Sequence, residues 1–166
     1  MYFRLIDFLK SNGYSGLELI FAYRFNMRNH HFEIELQVRD YECDIQGIVN
    51  NAVYQNYLEH CRHKFLNSIG LDFNQLHSEG IDGVVIRAEL DYKFPLRPGD
   101  DFIVGLKMEK QGKLRIIFNQ QIIRKADKKL MVNARITTVL TKNNRPVPSD
   151  IFIEKFESVG IKMEEV

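Results

Sequence analysis

The stretch from Val38 to Leu66, VRDYECDIQGIVNNAVYQNYLEHCRHKFL, most constrains what this chain can fold into. After a short polar turn, apolar or aromatic side chains recur every three or four residues, the spacing of one face of an α-helix. That face comprises Tyr54, Leu58, Cys61, Phe65 and Ile69. Asn50 and Asn51 are good capping residues at its start, and Gly70 is typical of a helix end. We therefore predict an amphipathic helix over residues 51–68.

The rest of the chain has mostly the pattern of strands. Phe32 to Val38 alternates apolar and polar side chains, the period of a half-buried strand. Two short helices are expected, from Asp72 to Ser78 and, capped by Ser149, from about Asp150 to Glu157. Four further strands separated by turn residues are predicted at Gly83–Phe94, Phe102–Lys110, Leu114–Arg124 and Leu130–Thr141. This order predicts an α+β fold in which an antiparallel sheet of about five strands wraps around one long central helix.

Composition narrows the class of protein. The chain has 166 residues, near the size of one domain, with 45% hydrophobic and 27% charged residues. A formal net charge of +1 gives no field that favours nucleic acid. The two cysteines, Cys43 and Cys61, have no metal-type spacing and favour a reducing, cytoplasmic setting. No apolar run approaches the length of a membrane span, so no membrane partner is expected.

The order of the predicted helices and strands shows no internal repeat and no second domain. Residues 27–166 are expected to form a single domain. Residues 1–26 are an N-terminal extension of uncertain status, either a helical arm or the result of an upstream start. We expect a chain that starts at Met27 to fold and to work.

Asp44 is the main candidate for chemistry. It lies just before the predicted helix, whose first backbone N–H groups are free to hold a developing oxyanion. A carboxylate beside such a site suits acyl transfer, because it can act as a nucleophile or as a general base. By spacing alone, however, the more common role of a turn aspartate is to accept backbone N–H bonds in its own turn.

Two blocks of sequence carry a resemblance to a known family. The first is DIQGIVNNAVY followed by YLEHCR, and the second is LDYKFPLRPGD, Leu90 to Asp100. The matching residues of the first block are Asp44, Gly47, Val49, Asn51, Tyr54, Glu59 and Arg62. From about residue 31 to 142 the chain resembles the hotdog-fold acyl-CoA thioesterases of the 4-hydroxybenzoyl-CoA thioesterase type.

The resemblance implies hydrolysis of an acyl-CoA to a free acid and CoA, without a metal or an organic cofactor. Asp44 would be the nucleophile or the general base, and a backbone N–H near Asn51 would polarise the thioester carbonyl. Gly47 would let the backbone pass close to the substrate or adopt a positive φ. Many members have His where Asn51 stands and Asp where Glu42 stands. The missing His keeps open a non-catalytic acyl-thioester-binding protein as an alternative. A thioesterase that acts on acyl carrier protein thioesters is a second alternative, of the same class.

The resemblance also implies a carrier site and an assembly. Lys110, Lys113 and Arg115 are candidates to bind the CoA phosphates, although a solvated turn would have the same composition. The family joins sheets edge to edge, so we expect a homodimer or homotetramer with a site shared between subunits. Glu59 and Arg62 are spaced to pair along the helix.

Overall fold

The computed structural model describes residues 30–166, so the predicted extension at residues 1–26 lies outside the described part of the chain. Five long strands, two short strands, three helices and one 3₁₀ turn make up this part. In chain order they are β1 (Phe32–Gln37), the 3₁₀ turn (Asp40–Glu42), α1 (Asn51–Ser68), α2 (Phe73–Ser78), β2 (Ile81–Tyr92), β3 (Asp101–Gln111), β4 (Arg115–Arg124), β5 (Leu130–Lys142), β6 (Arg145–Val147), α3 (Asp150–Ser158) and β7 (Glu164–Glu165).

The five long strands form one antiparallel sheet in the order β1-β3-β4-β5-β2. The predicted α+β fold is confirmed, and the predicted helix 51–68 has the bounds of α1. β2 lies at one edge of this order, although β1 precedes it and three strands follow it in the chain. The reason is that β2 pairs with β5, which places α1 and α2 in the crossover between β1 and β2.

Two β-bulges interrupt the regular pairing of the sheet. The extra residue of one bulge is Ile86 on β2, and that of the other is Met131 on β5, opposite Ile122 and Ile123 of β4. A bulge adds an unpaired residue to one strand, which bends that strand and increases its twist. These bulges favour a curled sheet with a concave side for α1.

The apolar face of α1 packs into that concave side. Tyr54, Leu58, Cys61 and Phe65 are buried as predicted, whereas Ile69 is only partly buried. Across from them, the sheet contributes buried side chains from its inner face, among them Val104, Leu106, Met108, Phe118, Val132 and Ile136. Asn50 caps α1, because its Oδ1 accepts from the Ala52 N–H at 2.9 Å. None of the helices within residues 30–166 is both long and apolar enough to cross a membrane.

The C-terminal part of the fold differs from the prediction in two ways. Ser149 occupies the N-cap position of α3, but its side chain makes no capping bond there. Its hydroxyl instead donates to the Lys113 carbonyl at 3.2 Å, so the predicted cap is wrong. The sequence analysis also missed β6, which folds back on β5 through Asn143 and Asn144 at φ 50° and 62°. It missed β7 too, a two-residue parallel extension beside β3.

Phe65→Ala tests the packing of α1 against the sheet. Phe65 is 1% exposed, and its ring centroid lies 5.6 Å from that of Phe32 and 5.9 Å from that of Phe156. Removing a buried ring leaves a cavity, so we expect the free energy of unfolding to fall by about 3–5 kcal/mol in urea titrations. Lys64→Ala, at the neighbouring exposed position, is the control and should change it little. A loss below about 1 kcal/mol for Phe65→Ala would contradict the described packing.

Candidate active site

The loop that carries Asp44 is a tight antiparallel return ahead of α1. Cys43 forms a β-bridge with Val49, and the Asp44 N–H donates to the Ile48 carbonyl at 2.9 Å. The Gly47 N–H closes the turn by donating to the Asp44 carbonyl at 3.0 Å. Gly47 has φ +68° with open space where a Cβ would stand, so the turn needs glycine for its backbone conformation.

The two oxygens of the Asp44 carboxylate have different surroundings. Oδ1 accepts from the Gln46 N–H at 2.8 Å, which is the turn role that spacing alone favoured. No donor within residues 30–166 contacts Oδ2, and the side chain is half-buried. One oxygen therefore fixes the carboxylate while the other is available to water or to a ligand.

The head of α1 has an unused backbone donor. Asn51 is the first residue of the helix, and its N–H contacts no acceptor in the described part of the chain. The Asn51 carbonyl, in contrast, accepts from the Tyr92 hydroxyl at 3.0 Å. A free N–H at the positive end of the helix dipole is suited to bind an oxyanion.

The two sequence blocks meet at this helix head. Leu96, from the second block, is fully buried. Its N–H donates to the Tyr54 hydroxyl at 2.9 Å, and its carbonyl accepts from the Val49 N–H at 3.0 Å. The second block therefore fixes both the end of the Asp44 loop and the first turns of α1.

Glu42 anchors the other side of the loop, a role that the sequence analysis missed. One carboxylate oxygen accepts from the Tyr57 hydroxyl and from the Arg39 N–H, each at 2.7 Å. The Glu42 carbonyl accepts from the Asn50 N–H at 3.0 Å. Burial, together with the hydrogen bond to Glu42, raises the pKa of Tyr57, so this hydroxyl remains a donor. The signal in the sequence was an acid two residues before Asp44.

Cys43 is poorly suited to be the nucleophile. Burial and then the carboxylates of Asp40, Glu42 and Asp44 raise the pKa of its thiol. Thiols react as thiolates, so these neighbours suppress nucleophilic chemistry at Cys43. The Asp44 carboxylate is the better candidate in this loop.

The predicted pair of Glu59 and Arg62 does not form an ion pair within 4 Å. Glu59 lies 3.8 Å from His63 instead, and Arg62 donates to the Gln120 Oε1 at 2.9 Å. The reason is that β4 offers Arg62 a fixed acceptor, Gln120, which is fully buried and also donates to the Leu58 carbonyl at 2.9 Å.

A groove lies between α1 and the edge strand β2. Counting its open mouth, it spans about 640 Å³ of space not filled by protein atoms. Its walls include apolar side chains of α1, α2, the sheet and α3, namely Leu66, Phe73, Leu76, Ile81, Val85, Ile116, Phe118, Leu140, Phe152 and Phe156. A second cavity shares Glu59, Arg62 and Val85 with it and extends to Gln55, one turn along α1 from Asn51. Asp44 does not line either cavity.

Lys110, Lys113 and Arg115 lie at the β3–β4 hairpin, at the opposite end of the sheet from the Asp44 loop. The loop lies at the Asp101 end of β3, next to β1, and the 11 residues of β3 separate the two regions. At about 3.4 Å per residue this strand is roughly 35 Å long. Within one chain, the predicted carrier-binding residues therefore do not meet the predicted catalytic residues.

Comparison with known proteins identifies the family. The model of the thioesterase-like superfamily matches residues 38–155, which contain both blocks, the Asp44 loop and all of the groove residues except Phe156. The chain belongs to the thioesterase-like superfamily.

A relative in sequence and a solved structure are both similar to this chain over most of its length. The chain is 43% identical over 124 residues to the acyl-acyl carrier protein thioesterase ATL2 of Arabidopsis thaliana, covering 72% of this chain and 65% of that protein. The match thus spans just under two thirds of the relative. A hypothetical protein from Aquifex aeolicus superimposes with a TM-score of 0.65 at 28% identity, over 72% of this chain and 95% of that one.

A third comparison concerns the fold alone. The 1,4-dihydroxy-2-naphthoyl-CoA thioesterase from Synechocystis superimposes with a TM-score of 0.70 at 19% identity, over 76% of this chain and 93% of that one. The predicted hotdog fold is confirmed by the family and the structural matches together. The resemblance to the 4-hydroxybenzoyl-CoA type in particular stays a prediction.

Tyr57→Phe tests whether Glu42 anchors the loop of this thioesterase-family protein. Loss of the hydroxyl removes one hydrogen bond to a carboxylate, so we expect the free energy of unfolding to fall by roughly 1–2 kcal/mol. Amide hydrogen exchange in residues 40–50 should become faster. Tyr41→Phe is the matched control, because Tyr41 is 78% exposed in the same loop. Unchanged exchange in the Tyr57 variant would show that the anchor does not hold the loop.

Proposed function

We propose that this protein hydrolyses acyl thioesters to a free carboxylic acid and a carrier thiol. The observation that carries the proposal is the Asp44 carboxylate, fixed through Oδ1 and open at Oδ2, in a loop hydrogen-bonded to the head of α1. Membership of the thioesterase-like superfamily supports the same reaction.

The proposed mechanism uses two groups that have no partner among the described residues, the Asp44 Oδ2 and the Asn51 N–H. With Asp44 as general base, Oδ2 takes a proton from water as the oxygen attacks the thioester carbonyl carbon. The carbonyl oxygen gains negative charge, which the Asn51 N–H stabilises. Collapse of this intermediate breaks the C–S bond, and the proton on Asp44 returns to the leaving thiolate. With Asp44 as nucleophile, Oδ2 attacks the carbon itself, the C–S bond breaks and the carrier leaves as a thiolate. Water then hydrolyses the resulting mixed anhydride, which releases the carboxylic acid, restores the Asp44 carboxylate and supplies the proton that the thiolate takes up.

Acyl carrier protein is the carrier that we favour. The relative that is 43% identical is named as an acyl-acyl carrier protein thioesterase. Lys110, one of the basic residues predicted to bind CoA phosphates, lies 4.0 Å from the Glu165 carboxylate. A CoA site at Lys110, Lys113 and Arg115 would require a second copy of the chain.

A homodimer joined through β2 is the assembly that the surface supports. β2 is a 12-residue edge strand, and Val84, Val85 and Ile86 on it are 42%, 46% and 52% exposed. A long apolar edge strand invites pairing with another strand. Antiparallel pairing of two β2 strands would bring the hairpin end of one sheet beside the Asp44 end of the other.

Asp44→Asn isolates the chemical role of the carboxylate. The amide oxygen of Asn can still accept from the Gln46 N–H, so we expect the fold to persist. Turnover should fall by about 100-fold or more, because the general base or nucleophile is lost. The measurement is thiol release from the same acyl group on acyl carrier protein and on CoA, where we expect the carrier protein substrate to be preferred. Cys43→Ala is the control and should retain most of the turnover.

Two outcomes would contradict this assignment. Undiminished turnover in Asp44→Asn would remove Asp44 from the mechanism. Binding of acyl thioesters by the wild type without thiol release would support the non-catalytic alternative.

Val84→Lys combined with Ile86→Lys tests the proposed dimer. Charges on the edge strand should block strand pairing, so sedimentation velocity should show a shift from dimer to monomer. Val159→Lys is the control, because Val159 is 45% exposed at the end of α3. A double variant that sediments with the wild type would place the interface elsewhere.

A further inference from the structure

The groove beside α1 is lined by two oppositely charged side chains that a site for a plain hydrocarbon chain would not need. Arg62 and Glu59 line both of its cavities, between apolar residues such as Val85. Neither residue has a role in the loop chemistry proposed above, and the inference drawn from them rests on that proposed function.

Arg62 is fixed in place with donors to spare. One guanidinium nitrogen donates to the Gln120 Oε1 at 2.9 Å, and the guanidinium carbon lies 5.9 Å from the centre of the Phe118 ring. Gln120 is itself fixed by its bond to the Leu58 carbonyl. A guanidinium has five N–H donors, yet Arg62 makes this single hydrogen bond to the described residues. No buried polar side-chain atom within residues 30–166 lacks a partner, so the remaining donors of Arg62 face open space.

Glu59 supplies the complementary group. Its carboxylate lines the same walls one turn before Arg62, and its nearest ion-pair partner among the described residues is His63, at 3.8 Å. An anionic ligand at Arg62 would also meet the Glu59 charge. A hydroxyl, in contrast, can accept from the guanidinium and donate to the carboxylate.

We propose that Glu59 and Arg62 form a polar subsite for a hydroxyl group on the acyl chain, so that the enzyme prefers hydroxylated over saturated acyl thioesters. Burial lowers the pKa of Arg62, which is the expected response of a guanidinium removed from water. A saturated chain in contact with the half-buried Arg62 would take its remaining donors out of water without offering them a partner, at a cost that a hydroxyl avoids. Glu59, whose side chain is 57% exposed at the mouth of the groove, would accept from the same hydroxyl.

The position of the subsite along α1 determines which carbon of the acyl chain must carry the hydroxyl. Glu59 and Arg62 are 8 and 11 residues beyond Asn51 on α1. At 1.5 Å per residue this is roughly 12–16 Å from the helix head where the thioester would bind. The hydroxyl must therefore lie far along a medium-length acyl chain, not beside the carbonyl.

The test compares three thioesters on acyl carrier protein, dodecanoyl, 3-hydroxydodecanoyl and 10-hydroxydodecanoyl. For the wild type we expect kcat/KM to be about tenfold or more higher for the 10-hydroxy substrate than for the saturated one, as one hydrogen bond to a charged group allows. The 3-hydroxy substrate should show no such preference. Arg62→Met should abolish the preference, whereas Lys64→Met, which removes an exposed cation from the same helix, should preserve it.

A second variant tests the role of Glu59, and a binding measurement tests the subsite independently of turnover. Glu59→Gln keeps the fixed Arg62 but removes the charge beside it, and it should reduce the preference. Calorimetry should show tighter binding of 10-hydroxydodecanoic acid than of dodecanoic acid to the wild type, and this readout does not depend on turnover. Hydrolysis without a 10-hydroxy preference, or a preference that survives in Arg62→Met, would overturn the subsite alone. Absence of any hydrolysis would overturn the proposed function. The calorimetry would then still show whether the groove prefers the hydroxylated acid.

Discussion

The burial of one face of α1 against the sheet is the interaction on which the rest of the structure depends. Leu58 and Cys61 are fully buried and Phe65 is 1% exposed. Side chains of this size contribute about 1.5–3 kcal/mol each when they leave water. Packing of an apolar face, more than the intrinsic propensity of the residues, is what stabilises helices in proteins. The sheet thereby fixes the position of the first turn of α1. That turn then fixes the position of the candidate site around Asp44.

The candidate site uses that fixed point but is built mainly from backbone bonds. Asp44 is set by its own turn, and the turn is held from two sides by Glu42 and Leu96. A loop with these anchors can present a half-buried carboxylate without a buried, unpaired charge, which would be costly. The same arrangement explains why the turn role and the chemical role of Asp44 are compatible: they use different oxygens of one carboxylate.

The sequence was informative where a local pattern decides the structure. Helical spacing located α1 and strand alternation located β1, because both periods follow from backbone geometry. It failed where tertiary contacts compete with local ones. Arg62 binds Gln120 on β4, 58 residues away, instead of Glu59, and Ser149 bonds to Lys113 instead of capping α3. No spacing along the chain reports such partners.

The groove shows why the function depends on tertiary contacts as well as on the local sequence pattern. Its apolar walls come from α1, α2, α3 and the sheet, and no single segment predicts a cavity there. Arg62 would be an ordinary exposed helix cation if β4 did not carry a buried glutamine opposite it. Gln120 satisfies one donor of the half-buried guanidinium. A ligand that fills the groove must therefore supply acceptors for the remaining donors or leave them unpaired. The proposed subsite would therefore select the acyl group by hydrogen bonding along its length, and not only by its size.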